Sequence, residues 1–130
     1  MPQPTRKYKD LSLDLSTHPN TRDLVYLKDD EAVKRAVKNI VLTSVYERHF
    51  DTQFGCEVKR LLFENISPFT RLSLQSSIES VLNTFEPRIN LLKVDVVPDI
   101  DNNGYTITIY FNIKNQITPL KVEFFLDRVR

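Results

Sequence analysis

Glycine is nearly missing from this chain of 130 residues: Gly55 and Gly104 are the only two. A loop that cradles phosphate with its backbone N–H groups needs several glycines in a short stretch, so the common nucleotide-binding motifs are excluded by count. The single cysteine, Cys56, cannot form an intramolecular disulfide, and the two histidines, His18 and His49, leave no spaced Cys/His set for zinc. A reducing compartment, no structural metal and no cofactor are expected. A surplus of either charge is also lacking, with 18 Lys+Arg against 17 Asp+Glu, so no sequence-wide field favours nucleic acid or anionic lipid. The best apolar run, Ile40 to Val45, is broken by Thr43 and Ser44 and falls far short of the roughly 20 residues that span a bilayer. Met1 to Lys9 is polar, so neither a signal peptide nor a membrane anchor is expected.

What remains is an ordinary globular composition, 41% hydrophobic and 27% charged, in a length that suits one domain. Residues 1–28 carry Pro2, Pro4 and Pro19 between short apolar islands and suit an extended arm. The alternation at Leu11, Leu13 and Leu15 also fits a short strand. Asp29-Asp30-Glu31 places negative charge where a helix begins, and Val33, Val37, Ile40 and Val41 recur on one helical face, which predicts a helix over about 30–44. Tyr46 to Phe54 has no period and reads as a loop closed by Gly55. Val58, Leu61 and Leu62 allow one or two helical turns over 57–63.

Ser67-Pro68 looks like a helix cap followed by proline at the first position, and Leu72, Ile78, Val81, Leu82 and Phe85 form an apolar stripe. The main helix is therefore predicted over 68–85. Pro87 cannot continue it and pushes Glu86 towards extended backbone. Beyond it, Leu92, Val94 and Val96 alternate, Asp101-Asn102-Asn103-Gly104 supplies turn chemistry, and Tyr105 to Ile113 alternates again, a β-hairpin. Pro119 opens a third alternating run through Leu126. Helices first and three consecutive strands second give the α+β class: an N-terminal extended arm (1–28) and a helical part (29–88) packed on a C-terminal three-stranded antiparallel sheet (89–130), in a single domain.

Chemistry has little local support. Asp51, Glu57, Glu64, Glu79 and Glu86 are the acids from which a glycosidase-like pair would be drawn, and solvated surface acids describe them better. Cys56 and His49, seven residues apart with no supporting signature, read as a small buried hydrophobe and a loop histidine. Phe50, Phe54 and Phe63 read as core or junction packing rather than a base-stacking platform. No catalytic residue is assigned.

Glu86-Pro87-Arg88 differs because a proline fixes the backbone between an acid and a guanidinium at the end of an anchored helix. Arg88 would fork onto a partner's carboxylate or carbonyls, and Glu86 would accept hydrogen bonds in turn. An exposed helix-end pair worth about 0–1 kcal/mol fits the same residues equally well on physics alone. The sheet offers a second device: strands over 89–97 and 120–127 would be its edges, open to another chain's strand or blunted by Lys121, Glu123 and Asp127.

Phe54-Gly55-Cys56, then Leu62-Phe63-Glu64-Asn65, then the long helix and Phe85-Glu86-Pro87-Arg88-Ile89, in that order and spacing, resemble the baseplate wedge proteins of contractile-tailed phages. This is the sheath-initiator family with the older label lysozyme-like, to which a type VI secretion baseplate member is related. The resemblance covers roughly Ala32 to Leu126. It implies a virion protein of the tail baseplate, assembled in the host cytoplasm, whose partners are the wedge core-bundle proteins and the tail sheath protein. It also implies that Glu86, Pro87 and Arg88 dock on the core bundle and that the C-terminal sheet receives sheath arms by strand addition. The older label keeps a cell-wall hydrolase as the alternative.

Overall fold

The computed structural model describes residues 9–11, 15–17, 19, 20, 22 and 26–128. Two short strands, β1 (Lys9–Leu11) and β2 (Tyr26–Lys28), pair antiparallel with each other. The arm expected over 1–28 thus contains a strand pair where it is described, and Arg35 Nη1 donates to the Leu11 carbonyl at 3.2 Å, tying it to the first helix. Leu15 has φ 48°, which ends the alternation expected through it, and Leu13, Leu24 and Val25 lie outside the described residues.

Three helices follow. Helix α1 (Asp30–Leu42) has Asp30 and Glu31 in its first turn and buries Ala32, Val33, Val37, Ile40 and Val41. It stops two residues before the predicted end because Thr43 turns extended. Helix α2 (Val58–Leu61) is a single turn that buries Val58 and Leu61. Helix α3 (Pro68–Phe85) begins as predicted: the Ser67 side chain accepts from the Thr70 N–H at 3.1 Å, and Pro68 occupies the first turn, where no N–H is needed. Its buried face is Thr70, Leu74, Ile78 and Leu82, four residues apart. Leu72, placed in the apolar stripe by sequence, is exposed, because it lies two residues, about 200°, from Leu74 on a 3.6-residue turn.

The C-terminal part is a meander of three antiparallel strands in the order β3 (Ile89–Asp99), β4 (Gly104–Ile113), β5 (Pro119–Asp127). Its turn is held by Asp99, whose carboxylate accepts from the Asn102 backbone N–H at 3.1 Å and its side-chain amide at 2.7 Å, while Asn103 takes φ 52°. Gly104 leaves space filled by the Phe125 ring from the neighbouring strand.

One detail of β3 departs from the sequence pattern. Register runs Leu91↔Phe111 and then Lys93↔Tyr110, so Leu92 is the extra residue of a β-bulge. Ile89 and Leu91 face the core before it, Val94 and Val96 after it, and Leu92 is exposed rather than the first member of a buried row. The core lies between this sheet and the helices, with Leu74, Ile78, Leu82, Val94, Ile107, Ile109 and Phe111 fully buried.

Candidate functional site

The chain leaves α3 through Glu86, whose N–H still bonds the Leu82 carbonyl at 3.1 Å, and enters β3 at Ile89. Pro87 lies between them. Arg88 donates Nε–H to Glu86 Oε1 at 2.7 Å and Nη2–H to Oε2 at 2.9 Å, a two-pronged fit of guanidinium to carboxylate. The Glu86 side chain is only 3% exposed, whereas that of Arg88 is 33% exposed. This corrects the expectation of two side chains leaving the helix end together; the helix-end pair carried as the alternative does form, with its acid buried and its base one-third exposed. Glu86 points inward and holds Arg88, and Arg88 carries the charge that reaches the surface. A one-proline spacing places both groups on the same side of the chain, which is why the intramolecular pair forms.

The loop before α2 packs against this junction. The Phe54 and Phe85 rings lie 4.9 Å apart between centroids, and the Arg48 guanidinium sits 3.9 Å from the Phe54 ring centre. Gly55 makes the approach possible. Its φ is 129°, and a side-chain carbon there would fall 2.7 Å from the Ser44 carbonyl carbon and oxygen. Cys56 then bonds back through its N–H to the Thr43 carbonyl at 2.8 Å. Its thiol is buried beside the Ser77 hydroxyl at 3.3 Å, and burial pushes the thiol above the usual cysteine range. The small buried hydrophobe expected there is what the structure contains, and His49 is an exposed loop residue.

The other end of α3 gathers a second set. Arg128 donates Nε–H to the Glu64 carbonyl at 2.9 Å and Nη2–H to Asn65 Oδ1 at 2.7 Å, while its backbone N–H bonds the Asn103 carbonyl at 2.9 Å. Asn65 in turn accepts the Thr70 hydroxyl through its own carbonyl at 2.9 Å. One arginine therefore ties the loop before α3, the β3–β4 turn and the end of β5. Sequence reasoning passed over Arg128, since its partners lie 63 and 64 residues away and leave no local signal. The residue groups 54–56 and 85–89 thus meet at one end of α3, and 62–65 serves the other, about 27 Å away for 18 residues.

The acids do not form a pair. Glu57 binds Arg60 at 2.6 Å, Glu79 accepts from Gln75 at 3.2 Å, Glu86 is held by Arg88, and Asp51 and Glu64 are exposed. A cavity of about 270 Å³ lined by Ser44, Val45, Tyr46, Cys56, Glu57, Lys59 and Arg60 contains Glu57 as its one carboxylate. Among the described residues no cluster of His, Cys, Asp and Glu could hold a metal ion, and no helix is long and apolar enough to cross a membrane. Phe50 and Phe63 are exposed, not packed in the core or a junction as expected, and only Phe54 of the three packs at the junction.

Comparison with known proteins follows the same geometry. The model of a family described as baseplate wedge protein gp25 matches residues 27–118, which include Glu86, Pro87 and Arg88. Baseplate wedge protein gp25 of Enterobacteria phage T4 is 35% identical over 82 residues, 63% of this chain, and the match spans 62% of that protein's length. Two solved structures share the fold at 22% identity. One is the baseplate of the anti-feeding prophage, with TM-score 0.72 over 85% of this chain and 88% of the other. The second is a putative tail lysozyme from Geobacter sulfurreducens, with TM-score 0.70 over 75% of this chain and 89% of the other.

Proposed function

The chain belongs to the baseplate wedge protein gp25 family, and from that premise we propose that it is a structural subunit of a contractile tail baseplate that docks on the wedge core and starts the sheath. The observation that carries the reading is the family match across 27–118, combined with a helix-to-strand junction built to present one arginine. Glu86 is buried and clamps Arg88 from behind through two hydrogen bonds, so the guanidinium meets a partner already oriented and loses little side-chain freedom on docking. Pro87 keeps the two in register. The sheet that begins one residue later supplies the second contact: its outer strands carry, along their free edges, backbone N–H and C=O groups that no described strand meets and that another chain's strand would complete.

The hydrolase alternative needs two facing carboxylates around a cleft. Glu57, Glu79 and Glu86 are each engaged by a neighbouring side chain, and the cavity beside Glu57 has no second acid. We therefore read the chain as a docking protein. Purified protein incubated with peptidoglycan should release no soluble fragments, and release that stops when a single acid is replaced would reverse this reading.

Incorporation into tails tests the docking role. Arg88→Ala alone confounds docking with stability because it strands a buried carboxylate. The double replacement Glu86→Met with Arg88→Met removes both charges at similar volume and should leave the domain folded. That protein should be missing from baseplates assembled in its presence. Its normal incorporation would sink the assignment of Arg88 as the docking group.

A further inference from the structure

Strand addition, as proposed above, has two edges to choose between, and hydrogen-bond parity along the sheet separates them. The Arg128 N–H bonds the carbonyl of Asn103, its register partner one step beyond Gly104↔Asp127. In an antiparallel ladder bonded pairs alternate with unbonded ones, so Leu126, Phe124, Val122 and Leu120 spend their backbone groups on β4. Lys121, Glu123, Phe125 and Asp127 turn theirs outward, where no described strand meets them. The same parity holds on the other side, where Lys114 N–H bonds the Arg88 carbonyl. There the outward positions are Ile89 and Leu91, then Val94, Val96 and Pro98 after the bulge at Leu92.

The two edges are unequal. On β3 the outward row changes phase at the bulge, which interrupts pairing, while each row has one end position without a donor, Pro98 on β3 and Pro119 on β5. On β5 it runs unbroken through four positions, two residues apart. The inward side chains of β5, Val122, Phe124 and Leu126, keep 6–8% exposure, which the inward side chains of an added strand would cover.

We infer that β5 is the accepting edge, with Lys121, Glu123, Phe125 and Asp127 as the backbone contacts. This rests on the strand-addition reading above. The occupant is an extended segment of another chain with apolar residues at alternate positions towards the helices. On the open face it carries an acid beside Lys121 and a base beside Glu123, matching the 2.8 Å pair those two make now.

The test is amide NMR of the full chain titrated with synthetic peptides covering the terminal arms of the sheath protein from the same tail. Amides of Lys121, Glu123, Phe125 and Asp127 should shift and gain exchange protection, while those of Val122 and Phe124, already bonded, keep theirs. Glu123→Pro, which removes an N–H that the ladder does not use, should weaken binding about tenfold or more. Protection gained at Leu91, Val94 and Val96 would overturn the assignment to β5 and leave strand addition standing. A peptide set that perturbs neither edge would overturn strand addition itself, and the assignment with it.

Discussion

Replacing Arg88 by alanine should cost the domain about 2 kcal/mol. The figure comes from where the two charges sit. Breaking a fully buried ion pair costs about 3–5 kcal/mol, because the remaining charge stays in a poorly solvated place, whereas an exposed pair is worth about 0–1 kcal/mol. Here Glu86 is buried at 3% exposure, and Arg88 at 33% lets water reach one side of the contact, which puts the cost between those limits. For a chain of 130 residues that corresponds to a fall in Tm on the order of 5–10 °C. Glu86→Gln keeps an acceptor for Arg88 and should cost about 1 kcal/mol. The paired methionine replacement should regain most of the loss. Urea unfolding at neutral pH of the parent, both single variants and the Glu86→Gln with Arg88→Ala double variant closes a cycle, with an expected coupling of about 1 kcal/mol. An Arg88→Ala protein within about 0.5 kcal/mol of the parent would refute the clamp. Glu86 would then need no partner, and the preorientation of Arg88 would lose its basis.

Two further outcomes follow from the loop that packs on this junction. Gly55→Ala should lose about 2–3 kcal/mol or fail to fold, since the new carbon meets the Ser44 carbonyl at 2.7 Å in a backbone region that alanine avoids; unfolding curves with parental midpoints would show that the loop relaxes freely. Glu47 accepts the Ser44 N–H at 2.7 Å, and that bond, followed by the charge of Lys59, holds its carboxyl below the usual glutamate range. A depressed folded pKa contributes order above the ordinary glutamate value and loses it as pH falls through the lowered one. Exchange of the Ser44 amide should therefore speed up as the pH falls below the ordinary glutamate range, beyond the intrinsic effect of pH, and Glu47→Gln should abolish that extra dependence.

Helix and strand were legible wherever one local signal decided the outcome. Ser67 followed by Pro68 marked the start of α3, Pro87 its end, and Pro119 the first residue of β5. Periodicity failed where the third dimension intervened. The sequence Leu91-Leu92 offers two candidates for one core position, and only pairing with Phe111 and Tyr110 reveals that Leu92 is the one pushed out. Phe50 and Phe63 look like core residues by type, yet they stand on turns whose direction no period encodes. Glu86-Pro87-Arg88 was visible as a motif and misjudged as geometry. Two residues of opposite charge flanking a proline allowed a pair at the helix end but gave no sign that its acid would be buried.

That geometry changes what each residue of the motif can do for the proposed assembly. A buried carboxylate cannot be the group that meets a partner, so the surface contact falls to Arg88, and Glu86 acts through it. The junction opens β3, whose own outer row is interrupted by the bulge. The unbroken row lies on β5, two strand spacings or roughly 10 Å across the sheet. A core protein bound at Arg88 and a strand added along 121–127 would therefore approach from different sides and need not compete. If one partner instead used both surfaces, loss of Arg88 would weaken peptide capture at β5 as well. Titrating the sheath-arm peptides into the paired methionine variant separates the two arrangements: unchanged affinity is expected, and a tenfold loss would mean the sites are one.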